Sequence, residues 1–468
     1  MKKHILLLSF FCLPFLTVAQ DIGNRDNPYW TEIVTEQPEG YVVLENGDVE
    51  ISSAEGLAWL ISVVNGLNGC AADDFEGRKV ELVNDVDLSG ADWVPIGDIF
   101  SDSTLVFKGQ FDGKGHTIKN LSVGDRYGHY LGFFGYLNHA EIHNLYLYQG
   151  AVTGEWYCGG IVGWSDNGSI VDNCVVNLEV GGWCYMGGII GHNKNSTIRN
   201  CCYICDRFQP VDTFGGGIAG CNEAVGQDAV IENCYFDSQI LGSFNTCWAG
   251  GIVGYNVVTD GEGAALVKNC YAALHGRDWY EEGGIVGWNL NGTVTNSYYC
   301  VIYNYISDIP VIGYGDMNYS DCSIFEYQEG AELILEHPVS VGEYQTDNLL
   351  DALNLWIVNQ EHPELYRTWT IINDSIPVFG DYYVGVPENE DSNDRVTVHP
   401  NPTSGYVSVK GESLRLAEVV NMLGQKVIIV QGEDNELQID MTTLPAGIYF
   451  VTITDEAGRK CVRKVVKE

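Results

Sequence analysis

The chain has 468 residues, 45% hydrophobic, 12% aromatic and only 19% charged, which is enough apolar surface to pay for chain entropy and excludes a disordered protein. Its formal charge is −39, from 24 basic and 63 acidic residues; such a surface repels phosphate backbones and anionic headgroups, so neither nucleic acid nor the bare membrane is an expected partner. Glycine is frequent, at 55 residues, but lacks the every-third-residue period of a collagen triple helix.

Residues 1–20 read as a signal peptide. Lys2 and Lys3 form its positive end, Ile5 to Leu16 its apolar stretch, and Thr17-Val18-Ala19 its small-residue cleavage site. The apolar run is too short to span a bilayer, and no later segment is apolar for long enough, so no membrane insertion is expected. Of the 15 cysteines, Cys12 leaves with this segment. The other cysteines lie in an exported chain, where disulfides are chemically permitted.

Residues 21–130 form an N-terminal cap and the entry to a repeat region. Within them, Ser53 to Asn65 reads as a short amphipathic helix with Ser53 as its N-cap, placed to cover an open end. From residue 131 to 300 the chain repeats itself. Gly159-Gly160-Ile161-Val162-Gly163 returns as Gly187-Gly188-Ile189-Ile190-Gly191 and Gly216-Gly217-Ile218-Ala219-Gly220. Two further copies are Gly250-Gly251-Ile252-Val253-Gly254 and Gly283-Gly284-Ile285-Val286-Gly287, and Leu131-Gly132-Phe133-Phe134-Gly135 is a degenerate first one. Each copy carries a second element, as in Ile170-Val171-Asp172-Asn173-Cys174, Ile198-Arg199-Asn200-Cys201 and Ile231-Glu232-Asn233-Cys234.

Short β-branched segments bounded by Gly, Asn and Asp are strand-and-turn chemistry. A single unit cannot bury its apolar face, whereas stacked units build one core. The expected fold is therefore all-β: a right-handed parallel β-solenoid with short capping helices, followed by a small antiparallel β-sandwich. Stacking in register predicts an inward column of Ile161, Ile189, Ile218, Ile252 and Ile285. A second column of Asn173, Asn200, Asn233, Asn269 and Asn296 is expected to pass hydrogen bonds from coil to coil. At about 4.8 Å per coil the six copies make a rod segment roughly 30 Å long.

The Gly-Gly-Ile-Val-Gly element followed by Ile-x-Asn-Cys resembles the GLUG repeat of bacterial surface proteins. Asn84 to Leu88, Trp93 to Gly97 and Phe107 to His116 resemble the entry segment of such solenoids, and the likeness covers roughly residues 41–380. Residues 301–385 form a C-terminal extension and cap, with a helical pattern at Asn348 to Trp356 followed by Trp369 and Ile376-Pro377-Val378-Phe379. Residues 386–394 are an acidic linker. Beyond it the charge changes: residues 394–468 hold 9 basic and 10 acidic residues, against a net −40 for residues 4–393. Residues 395–468 resemble the C-terminal sorting domain of proteins exported by type IX secretion in Bacteroidetes-type bacteria. The likeness rests on Pro400, Asn401, Pro402 and Gly405, on Gly424 in Asn421-Met422-Leu423-Gly424, and on Gly447 and Tyr449. It implies passage through the type IX machinery to the cell surface or the medium, with the tail as the transport signal. The alternating strands and short turns of this tail independently read as a small antiparallel sandwich.

No catalytic constellation stands out. Related repeats occur in some IgA-cleaving metallopeptidases, yet no histidine begins His-Glu-x-x-His: His337 precedes Pro338 and His362 precedes Pro363. There is no Gly-x-Ser-x-Gly elbow and no phosphate-binding glycine loop. Cys201, Cys202 and Cys205, with Cys221 further on, could form a metal site, but the spacing is loose and no histidine ligand is obvious, so no metal or cofactor is expected. Cys174, Cys201, Cys234 and Cys270 share one repeat position, which suits stacked buried thiols or disulfides between adjacent coils. Asp206, Arg207 and Asp212 form the best local charged cluster, in one irregular insert. Aromatic residues recur before the glycine pair, at Trp156, Trp183, Phe214, Trp248 and Trp279, and after it, at Trp164, Tyr255 and Trp288. Facing inward they are core; facing solvent, Trp156, Trp183, Trp248 and Trp279 make a ligand-binding strip. The expected function is that of an exported, adhesin-like, non-catalytic protein binding a host protein or glycan through a solenoid face. A carbohydrate-active enzyme (polysaccharide lyase or glycosidase) and a non-binding structural spacer are the alternatives.

Overall fold

The computed structural model describes residues 27–98, 102–124, 128–210, 214–240, 248–275, 282–302, 309–327, 332–371, 376–380, 396–400, 403–421, 426–444, 447–455 and 460–467. The expected signal peptide and the acidic linker lie outside them. The chain divides into two compact units, Met1–Ile324 and Phe325–Glu468.

The first unit is a β-solenoid of about eight turns, built from three sheets of 11, 12 and 7 strands. One coil runs through Ile170–Asp172 in the first sheet, Val175–Gly187 in the second and Ile190–Lys194 in the third, and Thr197–Arg199 starts the next. Each of these strands pairs in parallel with its equivalent one coil away. The three sheets continue to Ile324, through Ile312–Gly315, Tyr319–Ser320 and Ser323–Ile324.

The isoleucine column forms as expected. Ile161, Ile189, Ile218, Ile252 and Ile285 are all fully buried, and each amide donates to the next carbonyl at 2.9–3.1 Å. The asparagine column occupies a corner. Asn144, Asn173, Asn200, Asn233, Asn269 and Asn296 all have φ between 47° and 54°, the left-handed region that Asn tolerates better than other side chains because it bonds locally. Asn173 Nδ2 donates to Asn144 Oδ1 at 2.6 Å, Asn233 to Asn200 at 2.8 Å and Asn269 to Asn233 at 2.8 Å. Asn200 Nδ2 also donates to Asp172 Oδ1 at 2.7 Å.

The paired glycines are required for close approach. None of them has positive φ. A Cβ on Gly187, Gly216 or Gly250 would stand 2.1 Å from a carbonyl oxygen, and one on Gly188 2.0 Å from the Tyr203 ring. The last glycine of each copy has a different task. Cβ atoms on Gly163, Gly191 and Gly220 would strike the backbone of Tyr130, Tyr157 and Tyr185 respectively, one coil back. Those glycines give an aromatic segment of the preceding coil room to cross.

At the N-terminal end the helix Ala54–Val64 forms with Ser53 as its cap, Ser53 Oγ accepting from the Gly56 amide. Amphipathic exposure is not observed: Gly56 to Ser62 are all buried, because the helix is embedded in the core it closes. Trp93 Nε1 donates to Phe133 O at 3.0 Å and its ring stacks on Phe133 at 4.9 Å, tying the entry segment to the first repeat.

In the second unit, strands Ile334–Val341 and Tyr344–Asn348 form a hairpin that leads into the helix Leu349–Val358, capped by Asn348. Asn354 bonds both backbone polar groups of Trp369, and Trp369 packs on Phe379 across the small hairpin Trp369–Ile371/Pro377–Phe379. The tail is a five-stranded antiparallel sheet. Its strand Tyr406–Asn421 pairs with Lys426–Asp440 along most of its length. Its first half also pairs with Thr397–His399 and its second half with Gly447–Asp455. The alternating Val407, Val409, Ala417 and Val419 share one core with Leu437, Ile439, Val451 and Ile453.

Candidate functional site

The aromatic residues before the glycine pairs do not form the single strip that the sequence suggested. The column that forms is Tyr130, Tyr157, Tyr185, Phe214 and Trp248, each two residues before the first glycine. Successive rings stack at 5.2, 5.2, 5.1 and 5.4 Å, with interplanar angles of 14°, 14°, 25° and 24°. Tyr130, Tyr157 and Tyr185 hold φ of 54° to 60°, where the chain steps over the glycine of the following coil. Because each ring covers its neighbour's face, this column offers solvent its edges. Burial raises the phenols, Tyr157 to about 12, so they stay neutral.

A second column lies beside it on the third sheet, with Tyr136, Trp164, His192, Cys221, Tyr255, Trp288 and Tyr314 in register. Trp164 stacks on His192 at 3.9 Å. His192 Nε2 donates to Glu223 Oε2 at 3.0 Å, while Nδ1 is buried without a partner among the described residues. Burial lowers His192, and a bare buried Nδ1 is what a neutral ring leaves behind. This histidine is core packing. The aromatic set Trp164, Tyr255 and Trp288 is accordingly half-buried and locked against the first column, with Tyr157 on Trp164 at 4.8 Å and Phe214 on Tyr255 at 4.8 Å.

Trp248, expected in a ligand strip, belongs to the stacked column and also packs on Trp288 at 4.9 Å. Trp279 lies outside the described residues. Trp156 and Trp183 are the two that face water, at 37% and 48% exposure. They stand three and four residues before their first glycines, off the column's offset of two. Trp156 is in register with Cys184 on the next coil, which puts Trp183 level with Glu155. Trp156 leans on His129 and Tyr185, both at 6.2 Å, whereas no ring of the described residues lies against Trp183. The carboxylate of Glu155 is 3.7 Å from His129 Nε2.

The cysteines weighed as metal ligands are not brought together. Cys201 lies in the corner column with Cys174, Cys234 and Cys270, all fully buried. Cys202 pairs in register with Val175 and Tyr235, Cys205 contacts Tyr203 and Ser238, and Cys221 sits beside His192. Among the described residues no group of His, Cys, Asp or Glu is arranged to hold a metal ion. Cys174, Cys201, Cys221, Cys234 and Cys270 form no disulfide. The side chains of Asp206 and Arg207, and Asp212 altogether, lie outside the described residues.

A polar column that the sequence reading missed runs through the core. Asn193, Asn222, Asn256 and Asn289 are fully buried, and their amides connect at 2.8, 2.8 and 2.9 Å. Ser165 starts the chain by donating to Asn193 Oδ1 at 3.0 Å. Its signal was present, since each member stands two residues after the last glycine of its copy.

In the tail, Gly405 donates its amide to Thr403 Oγ1 and accepts from the Met441 amide, and a Cβ there would meet Thr442. Tyr449 is buried in the core. Gly447 begins its strand opposite Lys467, and Pro400 follows the strand Thr397–His399. Asn401, Pro402 and Gly424 lie outside the described residues. Among the described residues no helix is long and apolar enough to cross a membrane.

Residues 397–468 match the family described as the secretion system C-terminal sorting domain. This tail addresses the chain to type IX secretion and so to the cell surface or the extracellular space. A protein of Evansella cellulosilytica described as a Gly-rich membrane protein is 28% identical over 194 residues, covering 38% of this chain and 19% of that protein. The match spans about a fifth of that relative's length.

Proposed function

We propose that the chain is an exported, non-catalytic, adhesin-like protein that engages a host protein or glycan through the solenoid face around Trp156 and Trp183. The observation that supports this reading is that two indoles on adjacent coils, Trp156 and Trp183, stand in water at 37% and 48% exposure, whereas Phe214 and Trp248, the other described aromatics before a glycine pair that the sequence singled out, are stacked on each other. Large apolar rings left in water on a rigid scaffold are a common mark of a contact surface. Parallel coils hydrogen-bonded on both sides hold such a surface without ordering cost on binding. The repeats of residues 131–300 are proposed to be of the GLUG type, on their Gly-Gly-Ile-Val-Gly and Ile-x-Asn-Cys elements.

The test is a binding screen of the purified full chain against host proteins and glycans, run beside the Trp156→Ala/Trp183→Ala double variant. A saturable ligand lost in the variant supports the reading. A normally melting chain that binds nothing overturns it and leaves a spacer.

A further inference from the structure

We infer that the solenoid associates head to tail with a second copy of this chain, through the two free edges of its first sheet. The join involves neither Trp156 nor Trp183 and stands apart from the ligand reading above.

One apolar position runs through the whole 11-stranded sheet. Val43 is in register with Val49, and the column continues with one residue per strand through Val294 to Tyr319. From Val49 to Val294 its members are at most 1% exposed, whereas Val43 is 53% and Tyr319 45% exposed. A position that is core throughout the stack is therefore open to water at both ends. Their neighbours are open too, Val42 and Leu44 at one end and Met317 at the other. The helix Ala54–Val64 closes the core on the N-terminal side but leaves Val42, Val43 and Leu44 in water.

The backbone is unfinished at the same two places. Tyr41–Val43 and Tyr319–Ser320 are the outermost strands of this sheet, each paired on one side only among the described residues. A free row of amides and carbonyls is a template for another strand, which is why edge strands are commonly covered, bulged or charged. A repeat array needs terminal units with a polar outer face to stay soluble. Here both edges carry apolar side chains instead.

Each end supplies what the other lacks. A copy placed one step further along the axis sets its Tyr41–Val43 beside Tyr319–Ser320. The two strands run antiparallel, the sense that Tyr41–Val43 already has to Val49–Ile51. Val43 of the second copy then stands opposite Tyr319, an aromatic and β-branched cross-strand pair, and the inward column continues without a break. Such a contact is heterologous, so it repeats from copy to copy. A two-fold pairing of Tyr319 ends would leave Val43 open.

The join is weak by construction. A three-residue edge is far below the roughly 800 Å² per partner of a standard interface. The net charge of −39 opposes any association of the chain with itself. Association should therefore strengthen as the Debye length shortens from about 30 Å at 0.01 M salt to about 8 Å at 0.15 M.

The experiment is sedimentation of the full chain from about 10 µM to 1 mM, at both salt concentrations. The expected mass rises with concentration, more steeply at the higher salt, and does not level off at the dimer. Val43→Lys and Tyr319→Lys each charge one edge at a position that faces water, so both should melt with the parent, and each alone should stay monomeric. Mixed in equal amounts they should form a dimer and go no further, because only the Tyr319 end of the first and the Val43 end of the second remain apolar. A parent that is monomeric at every concentration overturns the inference. So does association that persists in either variant alone; persistence in Val43→Lys would show that like Tyr319 ends meet.

Discussion

Ser297 Oγ does for its turn what Cys270 Sγ does one coil earlier: each donates to the carbonyl two residues back, at 3.0 Å to Thr295 and 3.2 Å to Lys268. Cys174, Cys201, Cys234 and Cys322 make the same bond at 3.1–3.4 Å. The column is a series of turn-closing donors that follow left-handed asparagines, or Asp321 in the case of Cys322, and Ser shows which property of Cys the fold uses. The thiol hydrogen is engaged, and burial raises Cys174 and Cys234 well above an ordinary thiol, which disfavours the reactive thiolate.

Two outcomes are expected. Alkylation of the denatured exported protein without reductant, followed by mass spectrometry, should label Cys174, Cys201, Cys234 and Cys270; a cross-linked peptide joining two of them would refute the donor role. Cys234→Ser should cost less than about 1 kcal/mol in urea melts. Cys234→Val, which removes the donor and adds a branch, should cost about 2 kcal/mol or more.

The glycine pairs lead to a paired comparison. Gly217→Ala puts a Cβ 2.2 Å from the Phe236 ring and 2.3 Å from Gly251 O, where a backbone carbonyl cannot yield. It should cost several kcal/mol or prevent folding. Gly124→Ala, with nothing within 4 Å of the added carbon and no positive φ, should stay within about 0.5 kcal/mol. Equal thermal shifts for the two would mean that coil spacing is looser than the repeat implies.

The buried amide chain predicts a penalty at its centre. Asn256 accepts from Asn222, and donates to Asn289 at 2.9 Å and to Ala265 O at 3.2 Å. Asn256→Leu strands an acceptor on Asn289 and a carbonyl in a dry core. A loss of roughly 3 kcal/mol is expected, against about 1 kcal/mol or less for Asn173→Gly, whose side chain is half-buried and whose left-handed backbone glycine accepts readily.

The stacked columns of isoleucine and corner asparagine were legible in the sequence because they recur at a fixed place in every copy. The aromatic column obeys the same rule but hides it, since Tyr157 and Tyr185 stand beside more conspicuous tryptophans at other offsets. Counting back a constant two residues from the first glycine separates them: members of the column are stacked, and Trp156 and Trp183, out of phase, are left in water. The inner asparagines were equally periodic, yet one polar residue in a glycine-rich strand does not announce that it is buried. Glu282 was not legible at all. It takes the inward position held by Ala249 on the preceding coil, as the bridge from Gly250 to Gly283 fixes, and nothing in its local sequence marks that position as dry.

Glu282 supplies the pH dependence. Its side chain is buried, its Oε2 has no hydrogen-bond partner among the described residues, and burial pushes it up from 4.5 to about 9. The unfolded chain releases this proton near pH 4.5 and the folded chain only near pH 9, so between those values the folded state holds one proton more. The stability contributed by the protonated acid is therefore whole below pH 4.5, drains as pH rises, and is lost once pH passes about 9. The slope is at most about 1.4 kcal/mol per pH unit. Glu282→Gln keeps the shape and removes the titration. Its denaturation midpoint should match that of the parent at pH 4.5 and exceed it by a margin that widens up to pH 9. A constant difference across that range would show that the carboxyl is ionised and compensated in the folded chain.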